Sequence, residues 1–80
     1  MNLGEFLDLI KDPTIEIVVE ADSGVPNYST GKTIYSGEIR DFESLLIDED
    51  YDGSAVYLDE LYVHNIDISS KWTWYITVGY

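Results

Sequence analysis

Near the start of the chain, Leu3, Phe6, Leu7 and Ile10 fall at helical spacing, with Glu5 and Asp8 on the opposite side. This repeat predicts a short amphipathic helix over residues 2–11, its apolar stripe widened by Leu9. Asp12-Pro13 should stop it, because proline disfavours helical backbone in the residue before it. The period then drops to two. In TIEIVVEA, residues 14–21, Ile15, Ile17 and Val19 alternate with Glu16, Val18 and Glu20, as in a half-buried strand. Residues 22–31, DSGVPNYSTG, are packed with turn formers and predict a loop.

A second strand is expected in KTIYSGEIRDF, with Tyr35, Gly37 and Ile39 on one face and Ile34 on the other. Asp41 can then cap a second short helix, DFESLLID, in which Phe42, Leu45 and Leu46 share a side. Past an acidic loop, ELYVHNIDIS and WTWYITVGY read as a hairpin turning through Ser69, Ser70 and Lys71. Ile66 and Ile68 fall on one side with Tyr62 and His64. In the last strand Trp72, Trp74, Ile76 and Val78 share a side, and Thr73, Tyr75 and Thr77 the other. The order of elements predicts an α+β fold: a small, mostly antiparallel sheet of about four strands, with an N-terminal helix and one further short helix. The N-terminal helix should pack on the face bearing Ile15, Ile17, Ile66, Ile68, Trp74 and Ile76. No repeat or long linker divides the chain, so residues 1–80 are expected to form a single domain.

Charge changes the picture most. Sixteen Asp and Glu stand against four Lys and Arg, a formal net charge of −12. Affinity for nucleic acid comes mainly from cations that neutralise phosphates, so direct binding to DNA or RNA is not expected, and an anionic membrane surface fails for the same reason. A basic partner is favoured, its capture speeded by long-range attraction. The apolar share is 45 %, with seven Tyr, two Trp and two Phe, which separates the chain from disordered acidic tails. Cysteine is absent, excluding disulfides, thiolate metal sites and cysteine nucleophiles. The N-terminus carries acids where a secretory signal needs a basic region, and no apolar run is long enough for a membrane span, so a cytoplasmic protein is expected.

Catalysis has little to work with. The one histidine, His64, lies inside a predicted strand with no partner nameable from sequence, and reads as a packing residue. Ser23, Ser36 and Ser54 lack a nucleophile-elbow context, and Gly24, Gly31 and Gly37 do not make a phosphate loop. The expectation is a protein that is not an enzyme and carries no cofactor.

The stretch DEDYDG supports a sharper alternative. Asp48, Asp50, Asp52 and Gly53 match the opening of an EF-hand calcium loop, and Asp59 occupies its twelfth position. Asp is a shorter closing ligand than the usual Glu, and the flanking segments are poor helices, so tight calcium binding is not expected. The reading that uses all the acids is imitation of nucleic acid, whose phosphates present a dense negative field. The residues assigned to a cationic partner are Glu38, Asp41, Glu43, Asp48, Glu49, Asp50, Asp52, Asp59 and Glu60, with Tyr51 and Tyr57 as aromatic anchors. Asp22 belongs with them, and Glu16 and Glu20 supply a further row along the first strand.

With its opening LGEFLDLIKD, then IEIVVE, then a strand of YSGEIRDF type, the chain resembles small acidic early proteins of phages and prophages. The likeness covers residues 3–20 and 34–42 in pattern and is centred on Gly37-Glu38-Ile39 and Asp41. It implies inhibition of a host defence enzyme, of anti-CRISPR or anti-restriction type, by a protein able to act as a DNA mimic. The partner would be a basic nucleic-acid-binding protein such as a CRISPR effector or restriction nuclease, met in the host cytoplasm. An interaction or assembly protein without mimicry is the alternative.

Overall fold

The computed structural model describes residues 1–49, 52–69 and 72–80. Asn2 begins the first element through a capping box: its Oδ1 accepts from the Glu5 N–H at 2.8 Å, and the Glu5 carboxylate accepts from the Asn2 N–H at 3.1 Å. The helix so started, α1 (Leu3–Asp8), is shorter than residues 2–11. At six residues it is only about 9 Å long, too short to persist in water without packing. Burial of Leu3 and Leu7 holds it in place, while Leu9 turns out to solvent at its C-terminal end, 65 % exposed, and widens no stripe.

Strands β1 (Glu16–Ala21) and β2 (Thr33–Glu38) follow, then a small hairpin of β3 (Leu46–Glu49) and β4 (Ala55–Tyr57), then β5 (Tyr62–Ile68) and β6 (Thr73–Gly79). The main sheet has the order β2-β1-β6-β5. Both outer pairs are antiparallel, and β1 runs parallel to β6 at the centre. The result is a small α+β fold with a mixed four-stranded sheet and a separate two-stranded one. The final hairpin pairs as the sequence predicts; Ser70 and Lys71, two of its turn residues, lie outside the described residues.

Register assigns the two faces. Across the sheet, Gly37, Ile17, Trp74 and Ile68 form one row, and Tyr35, Val19, Ile76 and Ile66 the next. These rows, with Ala21 and Val78, look toward α1. They build the core with Leu3, Leu7, Val25, Ile47, Leu58 and Leu61. Phe6 of α1 lies against Trp74, ring centroids 6.3 Å apart. Ile66 and Ile68 share this face as expected, yet they are 38 % and 57 % exposed. A helix of about 9 Å cannot cover a seven-residue strand of roughly 23 Å.

The second helix is not formed. Ile39–Asp41 makes one 3₁₀ turn, and Phe42 returns to extended backbone at φ −66°, ψ 125°. Asp41 lies inside that turn and cannot cap a helix after it. Leu46 enters β3 opposite Tyr57, and Ile47 is buried against the core. Burial of Ile47 and pairing with β4 outweigh the helical spacing of Phe42, Leu45 and Leu46, leaving Leu45 and Leu46 exposed. Phe42 instead packs against Tyr35 in a T-shaped arrangement, 5.2 Å between ring centroids.

Replacing Ile76 with alanine should lower unfolding free energy by about 2–5 kcal/mol, as for other fully buried aliphatic side chains. Ile68→Ala should cost no more than about 1 kcal/mol. Urea unfolding of both variants is the check, and equal losses would place Ile68 in the core.

Candidate acidic interaction surface

No charged residue among those described is buried. Ion pairs take up little of the excess: among the described residues they join Arg40 to Glu38 and His64 to Asp22. The acids assigned from sequence within residues 38–60 fall into three groups set by different elements.

The first group sits where β2 ends. Glu38 holds the single arginine, its Oε2 accepting from Arg40 Nε at 2.7 Å, and faces Glu16 directly across the β1–β2 ladder. Like charges directly opposite are unfavourable, so Arg40 offsets a local repulsion rather than reaching outward. Asp41 is exposed on the 3₁₀ turn and Glu43 just beyond it. Their shared field is felt by Tyr35. Burial first, then Asp41, Glu38 and Glu43, push its phenol above the ordinary 10.0. The hydroxyl meanwhile donates to the Glu38 carbonyl at 2.7 Å. Gly37 makes this placement possible: its φ is 155°, and a Cβ there would meet Tyr35 Oη at 2.9 Å.

The second group is the β3–β4 hairpin, with Asp48 opposite Val56, Glu49 opposite Ala55, and Asp52 in the connection. The Asp52 carboxylate accepts from the Ser54 N–H at 3.1 Å, which lowers its pKa. Asp50 and Tyr51 lie outside the described residues; Tyr57 is exposed on β4. The third group, Asp59 and Glu60, occupies a 3₁₀ turn (Leu58–Glu60) pressed against α1, where a Cβ on Gly4 would stand 3.3 Å from Asp59 Cβ.

This geometry replaces the helix–loop–helix frame of an EF-hand with a hairpin. Asp48 belongs to a strand, and Asp59 is engaged elsewhere: its carboxylate accepts from Ser44 Oγ at 2.7 Å, and its N–H donates to the same oxygen at 3.1 Å. Among the described residues, no three His, Cys, Asp or Glu side chains gather to hold a metal.

Two features escape the sequence reading. One is the reach of the acidic row expected from Glu16 and Glu20 along β1, which extends across the outer face of the main sheet, opposite the core. The rows of that face are Glu38, Glu16 and Thr73; then Ser36, Val18, Tyr75 and Asp67; then Glu20, Thr77 and Asn65. Asp67 joins Glu16 and Glu20 there only because of the strand order, which no local pattern reveals. The other is the environment of His64. Its Nδ1 meets Asp22 Oδ2 at 2.8 Å and its Nε2 the Tyr80 carbonyl at 3.2 Å, so the ring ties β5 to the ends of β1 and β6. The sequence offered no partner because Asp22 is 42 residues away. The bond to His64, then that to the Ser23 N–H, lowers the Asp22 pKa below 3.8. A lowered folded-state value stabilises the fold above 3.8, and that contribution disappears as pH falls through the folded value.

No helix among the described residues is long and apolar enough to cross a membrane. Comparison with protein-family models, with curated proteins and with solved structures finds no match.

If Glu38, Asp41 and Glu43 act together on Tyr35, the double variant Asp41→Asn, Glu43→Gln will move the Tyr35 titration midpoint back toward 10.0. Ring-carbon NMR shifts followed against pH resolve this one tyrosine. An unmoved midpoint would mean that burial alone sets it.

Proposed function

We propose that this protein inhibits a nucleic-acid-binding defence enzyme by occupying its cationic channel or groove in place of DNA. The supporting observation is a charge density. The Cα trace is 42 Å long and 21 × 19 Å across, and the formal net charge is −12, so 42 Å divided by 12 gives one net charge per 3.5 Å of length. One strand of B-DNA carries a charge about every 3.4 Å along the axis, and the duplex one about every 1.7 Å. The net charge per unit length is therefore close to that of one DNA strand, with the carboxylates kept in water on the sheet's outer face, the end of β2, the β3–β4 hairpin and the 58–60 turn.

Such a surface acts on its partner in two ways. Long-range attraction raises the rate of encounter, and carboxylates set opposite Arg and Lys side chains fix orientation. Residence time comes from buried aromatic and apolar contacts, for which Tyr57 on β4 is exposed. Tyr51 is proposed beside it from its place in the sequence. The likeness to small acidic phage proteins points to a CRISPR effector or a restriction nuclease as the enzyme class, encountered in the bacterial cytoplasm, with no catalytic step by this chain.

The direct test is binding kinetics against a panel of purified CRISPR effectors and restriction nucleases. Association should slow by about tenfold or more when Asp48, Glu49, Asp50 and Asp52 are replaced together by Asn or Gln, and should slow similarly when salt rises, because exposed charges are screened over about 8–10 Å at moderate ionic strength. Unfolding midpoints of the variant and parent should stay close. A variant that associates with a bound nuclease as fast as the parent would leave the acids as a solubilising coat.

A further inference from the structure

The acidic surface accounts for attraction but leaves the far end of the main sheet unused. β5 is an edge strand, and only its beginning is closed. Leu3 N–H donates to the Leu61 carbonyl at 2.8 Å, Val63 N–H donates to the Met1 carbonyl at 3.0 Å, and Asn2 bridges to Tyr62. At His64 a bulge interrupts the ladder with β6, since Val63 faces Val78 and Asn65 faces Thr77. Bulges and covering segments are the usual means by which a sheet edge is shielded from a further strand. Both devices here stop at residue 64. Over residues 65–68 no neighbouring strand lies on the outer side among the described residues, and this is where Ile66 and Ile68 stand exposed on the core side of the sheet, in the same rows as Ile76 and Trp74.

Resting on the reading that the partner is cationic, we propose that residues 65–68 dock an extended segment of that partner as a fifth strand. Register dictates the chemistry of the occupant. Alternate side chains of an added strand would fall on opposite faces. Those on the core side would meet Ile66 and Ile68 and extend the cluster of Phe6 and Trp74. Those on the outer side would meet Asp67, which lies opposite Tyr75 on the acidic face and has no ion pair among the described residues. The fitting segment alternates apolar with basic residues. A second copy of this chain is a poorer occupant: each copy carries a formal −12, so the approach is opposed, and its own open edge offers Asp67 and no cation.

The probe is a capped peptide of alternating lysine and valine, with two controls: the same peptide N-methylated at every backbone nitrogen, which keeps the charge and removes the donors on both strand edges, and one with glutamate for lysine. Backbone amide shifts and hydrogen exchange of the uniformly labelled protein provide the readout. The parent peptide should shift and protect amides within residues 65–68, with binding weakened about tenfold or more by N-methylation, by the glutamate exchange and by Asp67→Lys. Shifts confined to the acids of residues 38–60 would overturn the docking edge while leaving a cationic partner in place. Equal binding of the N-methylated peptide would overturn strand addition. Concentration-dependent protection of residues 65–68 without any peptide would assign the edge to a second copy instead.

Discussion

The constraint on which the rest of the structure depends is that all of the described acids must stay in contact with water while the chain still closes a core. With a formal −12 and three described cations, Lys11, Lys32 and Arg40, ion pairing cannot hold this fold together. Surface pairs contribute little in any case. Cohesion must come from apolar burial and from backbone hydrogen bonds. This explains why β1 sits at the centre of the sheet. Its inward side supplies Ile17, Val19 and Ala21, all essentially fully buried, while its outward side carries Glu16 and Glu20. One strand meets both demands, and the parallel pairing with β6 places Trp74, Ile76 and Val78 beside it to complete the same layer.

The small parts of the fold are solutions to the same problem. A six-residue helix contributes to the core through Leu3 and Leu7, which are buried in one cluster with Leu58 and Leu61. The β3–β4 hairpin is anchored by Ile47 and by Asn27, whose side-chain N–H₂ donates to the Ile47 carbonyl at 3.0 Å. Asn27 reaches that position from left-handed backbone, φ 68°, which asparagine tolerates better than most residues. The hairpin thus projects its acids outward from a buried root. Asp48, Glu49 and Asp52 are thereby held on the hairpin without any of them being buried.

Much of this was legible in the chain. The alternation of Ile15, Ile17 and Val19 gave both the strand and its buried face, and the paired patterns around residues 62–79 gave the last hairpin. What failed did so for identifiable reasons. Phe42, Leu45 and Leu46 have helical spacing, but the outcome rested on Ile47 reaching the core, a tertiary preference that local periodicity does not encode. Ile66 and Ile68 lie on the expected face, yet exposure depends on how far α1 extends, and its end at Leu9 is not marked by proline or glycine. The surface divided likewise. Glu38, Asp41 and Glu43 were visible as a local cluster and do converge on Tyr35. The row of Glu16 beside Glu38, the place of Asp67 and the bond from His64 to Asp22 follow from strand order, which brings together residues far apart in sequence.

The central claim is that this protein and DNA compete for one cationic surface. Equilibrium competition tests it most directly: labelled duplex DNA is bound to a purified CRISPR effector or restriction nuclease that binds this protein, and the protein is titrated in at several DNA concentrations. The account predicts complete displacement of DNA, with the concentration needed rising in proportion to the DNA present. A complex holding nuclease, DNA and this protein together at saturation would contradict it.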